Sequence, residues 1–371
     1  MLLRHPRIYL AADGRTTDAL LVRDHRVVAT GEDARGAATS ADEVLEPEGA
    51  CLFPALADAH VHLWGLGLRQ GSVSLGAARS TADVYERLRR YDLAHAPHGW
   101  VLGRDWDQHH WSDTDRLELA TLDAIFPNHP LVLRRIDGHS LWVNSEALRR
   151  AGITQTFGPG PNGHAGRDAA GRLNGLLVDD AMEPVLDTMP DPTEAEDRAV
   201  FLDSCARLRS FGIASAHIAW MPLDRLPMLE ALARDGALPL RLHVLLDGRD
   251  DVLDDALARG PRQDEWLAVR GVKFFADGAM GSRGAHLHGT YRDGTRGLVL
   301  EPPDELARRC ATLARDGWQV AVHAIGDAAA TGVLDAFEAM APADRRATRP
   351  RMEHAQMVGA RDCRRFGELG V

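Results

Sequence analysis

Five side chains, grouped at four places along the 371-residue chain, are of types that hold metal ions or react as amines. His60 and His62 stand two apart in DAHVHL. Alternate residues of a strand share a face, so both imidazoles point the same way and can chelate one ion. Neutral imidazole suits zinc, iron, nickel and similar metals. His323 in AVHAIGD and His354 in RMEHAQ each end a short apolar run. Lys273, in VRGVKFFADG, is the only lysine among 43 basic residues. A chain that uses arginine almost everywhere has kept one amine, and arginine cannot replace an amine that must lose its proton or form a covalent bond. In an apolar strand desolvation lowers the amine pKa, and a neutral amine can add carbon dioxide to give an anionic carbamate, a carboxylysine able to bridge two metals. The other reading is an ion pair between Lys273 and Asp277 on the same strand face.

These residues need strands to position them. Six apolar strands are predicted, around 52–62, 212–218, 240–246, 269–277, 320–325 and 351–355. Helices separate the later ones: one starts at the capping box Thr193 to Glu196, and two end in Arg-Asp-Gly, with Gly236 and Gly317 suited to a left-handed cap. Strands alternating with helices imply a parallel sheet, and a TIM-like (β/α)8 barrel is the expected fold, with about six βα units present in residues 51–70 and 205–371. Function then belongs at the C-terminal strand ends, where all five residues fall. Residues 1–50 read as short strands with a hairpin turn at Asp24-His25. Residues 71–204 break the repeat and read as an inserted α/β subdomain over the barrel mouth. Its motifs GRDWDQHHW and RRIDGHSLWVN mix aromatic faces with polar groups, which makes Arg104, Trp106, Asp107, Asp137 and His139 the substrate-contact candidates. His109-His110 and His286/His288 lack strand context and read as loop histidines. FGPGPNGHAG carries no phosphate-loop pattern.

Composition narrows the class. A formal charge of −11 argues against nucleic acid or an anionic membrane as partner. Cys51, Cys205, Cys310 and Cys363 form no CxxC pair, so neither a disulfide framework nor a thiolate zinc site is expected, and a cytoplasmic location fits. No signal-peptide core and no apolar run of membrane-spanning length is present.

DAHVHL, VKFFADGAMGSR, AVHAIGDAA and RMEHAQ, together with the two insertion motifs, resemble the amidohydrolase superfamily in its amidohydrolase-3 (YtcJ-like) branch over most of residues 50–371. The resemblance implies a metal-dependent hydrolase barrel, with residues 1–50 as the N-terminal part of a small β-sandwich. It implies hydrolysis of a non-peptide, amide-like C–N bond in a small molecule through a metal-activated water. His60 and His62 would hold one divalent ion, zinc being the first expectation, and His323 and His354 a second. Lys273 would bridge them as a carbamate if two ions bind. Asp58, Asp277 and His217 would stand behind the ligands; His217 is followed by Ile218, where many relatives carry an acid. Such relatives often form homo-oligomers. They also take a proton-transferring aspartate from an eighth strand, and this chain stops at FGELGV, so the catalytic residue is unknown here and the sequence reads as cut off. The rival expectation is therefore a truncated, catalytically inactive fragment.

Overall fold

The computed structural model describes residues 1–67, 72–91, 93, 96–111, 117–160, 162–249 and 253–371. The expected boundary at 70/71 and Pro161 of the Gly/Pro-rich stretch lie outside them. Three sheets organise the rest.

The first sheet, in the order β3-β2-β1-β4, is built from β1 (Leu2–Tyr9), β2 (Thr16–Arg23), β3 (Arg26–Thr30) and β4 (Val44–Leu45). Its hairpin turns at Asp24 and His25, with φ of 48° and 61°. Positive φ at both central residues is the primed turn whose twist matches that of the flanking strands. Leu2, Ala19, Leu21 and Ala34 form its small core.

The second sheet, in the order β10-β11-β9-β8-β7-β6, contains β6 (Val73–Ser74), β7 (Val101–Trp106), β8 (Leu131–Arg135), β9 (Ser140–Val143), β10 (Gly163–Arg167) and β11 (Leu173–Asp179). Strand alternation sends Leu131 and Leu133 into one apolar layer with Trp106, Trp111 and Trp142, and Val132 into another with Trp100.

The third sheet holds the predicted histidines. Its path is β17-β16-β15-β13-β12-β5, from β5 (Leu56–Val61), β12 (Ile213–Met221), β13 (Arg241–Asp247), β15 (Leu267–Phe275), β16 (Gln319–Ala324) and β17 (Arg351–His354), all parallel, with β14 (Arg262–Gln263) added antiparallel to β15. The six apolar segments of the sequence are these six path strands, with ends displaced by a few residues. Helices Glu194–Ser210, Leu226–Arg234, Pro303–Arg315 and Asp327–Glu338 lend buried side chains to the large core that covers one face. The first of them starts at the capping box of Thr193 and Glu196, and Gly236 and Gly317 take φ of +63° and +86° at the ends of the next two.

The sheet curls into a parallel half-barrel. Its two edge strands are not hydrogen-bonded to each other, yet Arg351 on β17 donates to the Ala59 carbonyl on β5 at 2.7 Å, and the Glu353 carboxylate meets Nδ1 of His60. Side chains therefore span the open side at the level of the histidines. A cavity of about 630 Å³ lies toward the other end of the strands, lined among others by His217, His243, Trp266, Gln319 and Arg351. No helix among the described residues is long and apolar enough to cross a membrane.

Candidate metal centre

Four of the five predicted ligands are histidines, and the curl brings them into a chain of rings. His62 lies 5.3 Å from His60, His60 4.9 Å from His354, and His354 4.6 Å from His323, between ring centres. His139 of the second sheet extends the chain, 5.0 Å from His323. Two imidazoles bound at ~2.1 Å to one tetrahedral ion hold their ring centres about 5 Å apart. The spacing thus fits shared coordination, although no group of three or more His, Cys, Asp or Glu side chains among the described residues already forms a metal-holding set.

Protonation fits as well. Crowding by protein atoms, then the charges of Lys273, His60 and Arg134, bring the His62 pKa down to about 3. Desolvation by the protein atoms around it, helped by the charges of His60 and Lys273, brings His354 to about 4. His323 is 2% exposed and held well below the ordinary histidine value, again chiefly by desolvation. All three are neutral at physiological pH, with lone pairs free for a metal. Hydrogen bonds select which nitrogen offers that pair: Nε2 of His323 donates to the Gly278 carbonyl at 3.3 Å, leaving Nδ1, and Nδ1 of His60 donates to Glu353, leaving Nε2.

Lys273 is 1% exposed, on β15, with Nζ 4.1 Å from the Phe275 ring centre. Desolvation lowers its pKa to about 8, against the opposing pull of Glu353. The ion pair with Asp277 allowed by the sequence does not form. Asp277 lies just past the end of β15, where its carboxylate accepts three backbone N–H groups, from His286 at 2.9 Å, Ile325 at 3.0 Å and Gly326 at 2.8 Å. Burial nonetheless raises its pKa to about 6. Asp277 thereby ties the loop after β16 to the loop after β15, and fixes the base from which His323 projects.

The other predicted residues separate into groups. Asp58 accepts the His60 backbone N–H at 3.0 Å. His217 accepts from the Arg351 guanidinium at 2.7 Å through Nδ1 and has its ring 4.7 Å from His243, so it borders the cavity at the far end of the strands. His139 donates from Nδ1 to Asp179 at 2.6 Å, which leaves its Nε2 as an acceptor. Asp107 and Asp137 both pair with Arg135, and Asp137 also accepts the His139 backbone N–H at 3.1 Å. Arg104 lies on β7, in register with Arg134 of β8. Trp106 is not brought to the site: it is 1% exposed, packed against Trp111 and Trp142, and its indole N–H is spent on the Leu133 carbonyl. His109 and His110 sit in a short turn after β7, and the backbone N–H groups of His286 and His288 bind Asp277 and Asp327.

Sequence reasoning missed Glu353, Arg351 and Asp179. Burial pushes the Glu353 carboxyl upward, but the hydrogen bond from His60 and the Arg351 charge prevail and hold it at about 2. Glu353 immediately precedes a predicted ligand, the one signal that could have raised it. Asp179 holds φ 48° and ψ −124° at the end of β11, and Gly278 and Gly284 leave room for its carboxylate: a Cβ on either would come within 2.6 or 2.7 Å of Oδ2.

Comparison with known proteins identifies the family of the chain. The family model described as "Amidohydrolase family" (Amidohydro_3) matches residues 43–371. Over 356 residues the chain is 30% identical to "Putative amidohydrolase YtcJ" of Bacillus subtilis (strain 168), covering 93% of this chain and 66% of that protein. It is 27% identical to an N-substituted formamide deformylase of Arthrobacter pascens, covering 97% of this chain and 70% of the other. A crystal structure of an uncharacterized metal-dependent hydrolase from Pyrococcus horikoshii OT3 superposes with a TM-score of 0.75 at 26% identity, over 100% of this chain and 73% of that one. The chain spans about two thirds of the length of the first two curated relatives it matches.

Proposed function

Because the chain belongs to the amidohydrolase family, we propose that it hydrolyses an amide-like, non-peptide C–N bond of a small molecule at the histidine cluster, with a divalent metal, zinc first among the candidates. The observation that carries this reading is the row of four imidazoles, with a buried amine that makes no ion pair among the described residues. The activity named for the formamide deformylase of Arthrobacter pascens, 27% identical, supports the C–N specificity.

His60, His62, His323 and His354 would hold one or two ions. A divalent ion in this position polarises a substrate carbonyl and lowers the pKa of water. Lys273, neutral in an appreciable fraction, would attack carbon dioxide through Nζ, forming an N–C bond and releasing a proton to solvent, so that a carbamate oxygen pair faces the imidazoles. Glu353 orients His60 and is itself clamped by Arg351, with Nε to Oε1 at 2.8 Å. Asp277 fixes the loop that follows His323. His139, its tautomer set by Asp179, offers Nε2 to a substrate N–H, with Asp137 holding its backbone and Asp107 steadying Arg135 beneath it. Arg104 would add a donor on the substrate side.

The test is elemental mass spectrometry of protein purified without chelators, followed by amine release from N-substituted formamides. One or two equivalents of metal with turnover are expected. Stoichiometric metal without turnover on any C–N substrate would overturn the activity, and absence of metal would overturn the centre.

A further inference from the structure

We propose that Arg134 of β8 reads a carboxylate carried by the substrate beside the bond that is cut. The inference deepens the hydrolase reading above and rests on it for the position of that bond.

Arg134 and Arg135 are neighbours with opposite circumstances. Arg135 is 5% exposed and saturated: it pairs with Asp107 and Asp137, and its Nε donates to Gln108 at 2.9 Å. Arg134 points to the other face of β8 and makes one hydrogen bond, from Nη2 to the Gly138 carbonyl at 3.2 Å. Among the described residues no carboxylate lies within ion-pair distance of it. The acid closest to hand, Asp137, is already committed to Arg135 and to the His139 N–H. A guanidinium offers five donors in a rigid fork. Arg134 is half-buried, and desolvation depresses its pKa, opposed by Asp137. A desolvated cation without a counter-charge is costly, and a ligand anion is the partner that relieves the cost.

Its place is at the candidate centre. The carbonyl that Arg134 holds belongs to the residue before His139, whose ring touches His323. The charge of Arg134 is also among those that keep His62 unprotonated. Arg104, in register across the β7–β8 ladder, puts a second guanidinium on the same strand face. A planar, bidentate carboxylate matches this fork best.

The experiment compares N-formylglycine with N-formylglycinamide, the smallest pair that differs in the charge alone, on the metal-loaded full chain. Wild type is expected to favour the carboxylate in kcat/KM by about tenfold or more. In Arg134→Met that ratio should fall to near one, while Arg134→Lys keeps part of it; thermal melts check that both variants fold. Equal turnover of the pair by wild type, or an unchanged ratio in Arg134→Met, overturns the inference. If neither compound is hydrolysed, calorimetric binding of the same pair separates the two readings. Carboxylate-selective binding lost in Arg134→Met upholds Arg134 and leaves the bond cut to the wider C–N screen, and unselective or undetectable binding overturns the inference.

Discussion

Lys273 and Asp179 are the two residues whose chemistry most depends on what surrounds them. The Lys273 amine is buried beside Phe275, and the acid two strand positions beyond it, Asp277, is saturated by backbone donors. Lys273→Arg keeps the charge and forbids a carbamate, so metal content should fall by about ten- to hundredfold in affinity, with turnover falling at least as far. Undiminished activity in that variant would remove the carbamate from the mechanism. Asp179→Asn should free the His139 ring from its fixed tautomer. Loss of a hydrogen bond to a charged group costs about 1.5–3 kcal/mol, read as roughly a ten- to hundredfold drop in kcat/KM with the metal content unchanged; a drop in metal content instead would make Asp179 part of the ligand scaffold. The histidines and Lys273 were legible because each ends an apolar strand, or because the amine is unique. Asp179 and Glu353 were not, since their partners lie 40 and 293 residues away, and neither was Arg134, which has no carboxylate partner among the described residues. Trp106 misled for a physical reason: an aromatic between charged residues looks the same whether it faces a pocket or fills a core. Only the path of β7 against β8 buries it.

At the level of elements, the loop after β15 and the second sheet fit together through missing side chains. Gly278 and Gly284 face Asp179, and Gly281 faces the Arg135 guanidinium, while the Gln108 side-chain amide donates to the Gly281 carbonyl at 3.4 Å. Gly278→Ala would drive a methyl against the Asp179 carboxylate, and overpacking of this kind costs about 1–3 kcal/mol. Urea unfolding should show that loss together with an elevated KM, because the same contact sets His139 against His323. A variant with wild-type stability and KM would mean that the second sheet sits on the half-barrel by other contacts. The six barrel strands were readable from period and punctuation, down to the Thr193 cap, as was the hairpin turn at Asp24-His25, while the six strands of the second sheet were not. How one sheet seats upon another was not, because glycines that admit a carboxylate look like ordinary loop glycines in a sequence.

For the whole molecule, the titrating groups predict a stability profile. His62 has its pKa lowered to about 3, and His243 and His354 to about 4, from an ordinary value of 6.5, so between those limits the unfolded chain binds more protons than the folded one. Their contribution is full above pH 6.5 and is lost as pH falls toward 3. Glu353, lowered from 4.5 to about 2, extends the loss in the same direction. Asp277 works the other way, since its raised value of about 6 favours the folded state as pH drops from 6 to 3.8. Three imidazoles and a carboxylate outweigh one acid, so the urea midpoint of the metal-free protein should fall steadily from pH 7 to pH 4. A midpoint that is flat or rises over that interval would contradict the neutral state assigned to these rings.

The clasp between the two edges of the half-barrel also bears on the order of events when the chain folds. His60 and Glu353 are 293 residues apart, and the Arg351 contact to Ala59 spans 292. Neighbouring strands can pair with much shorter intervening loops, whereas this contact waits until every strand of the ladder is laid down, because closing a longer loop costs more entropy and arrives later. The chain of imidazoles proposed to hold a metal includes His60 from β5 and His354 from β17. Metal capture there would therefore be a late step in folding, and a bound ion would certify that the sheet has been assembled from end to end.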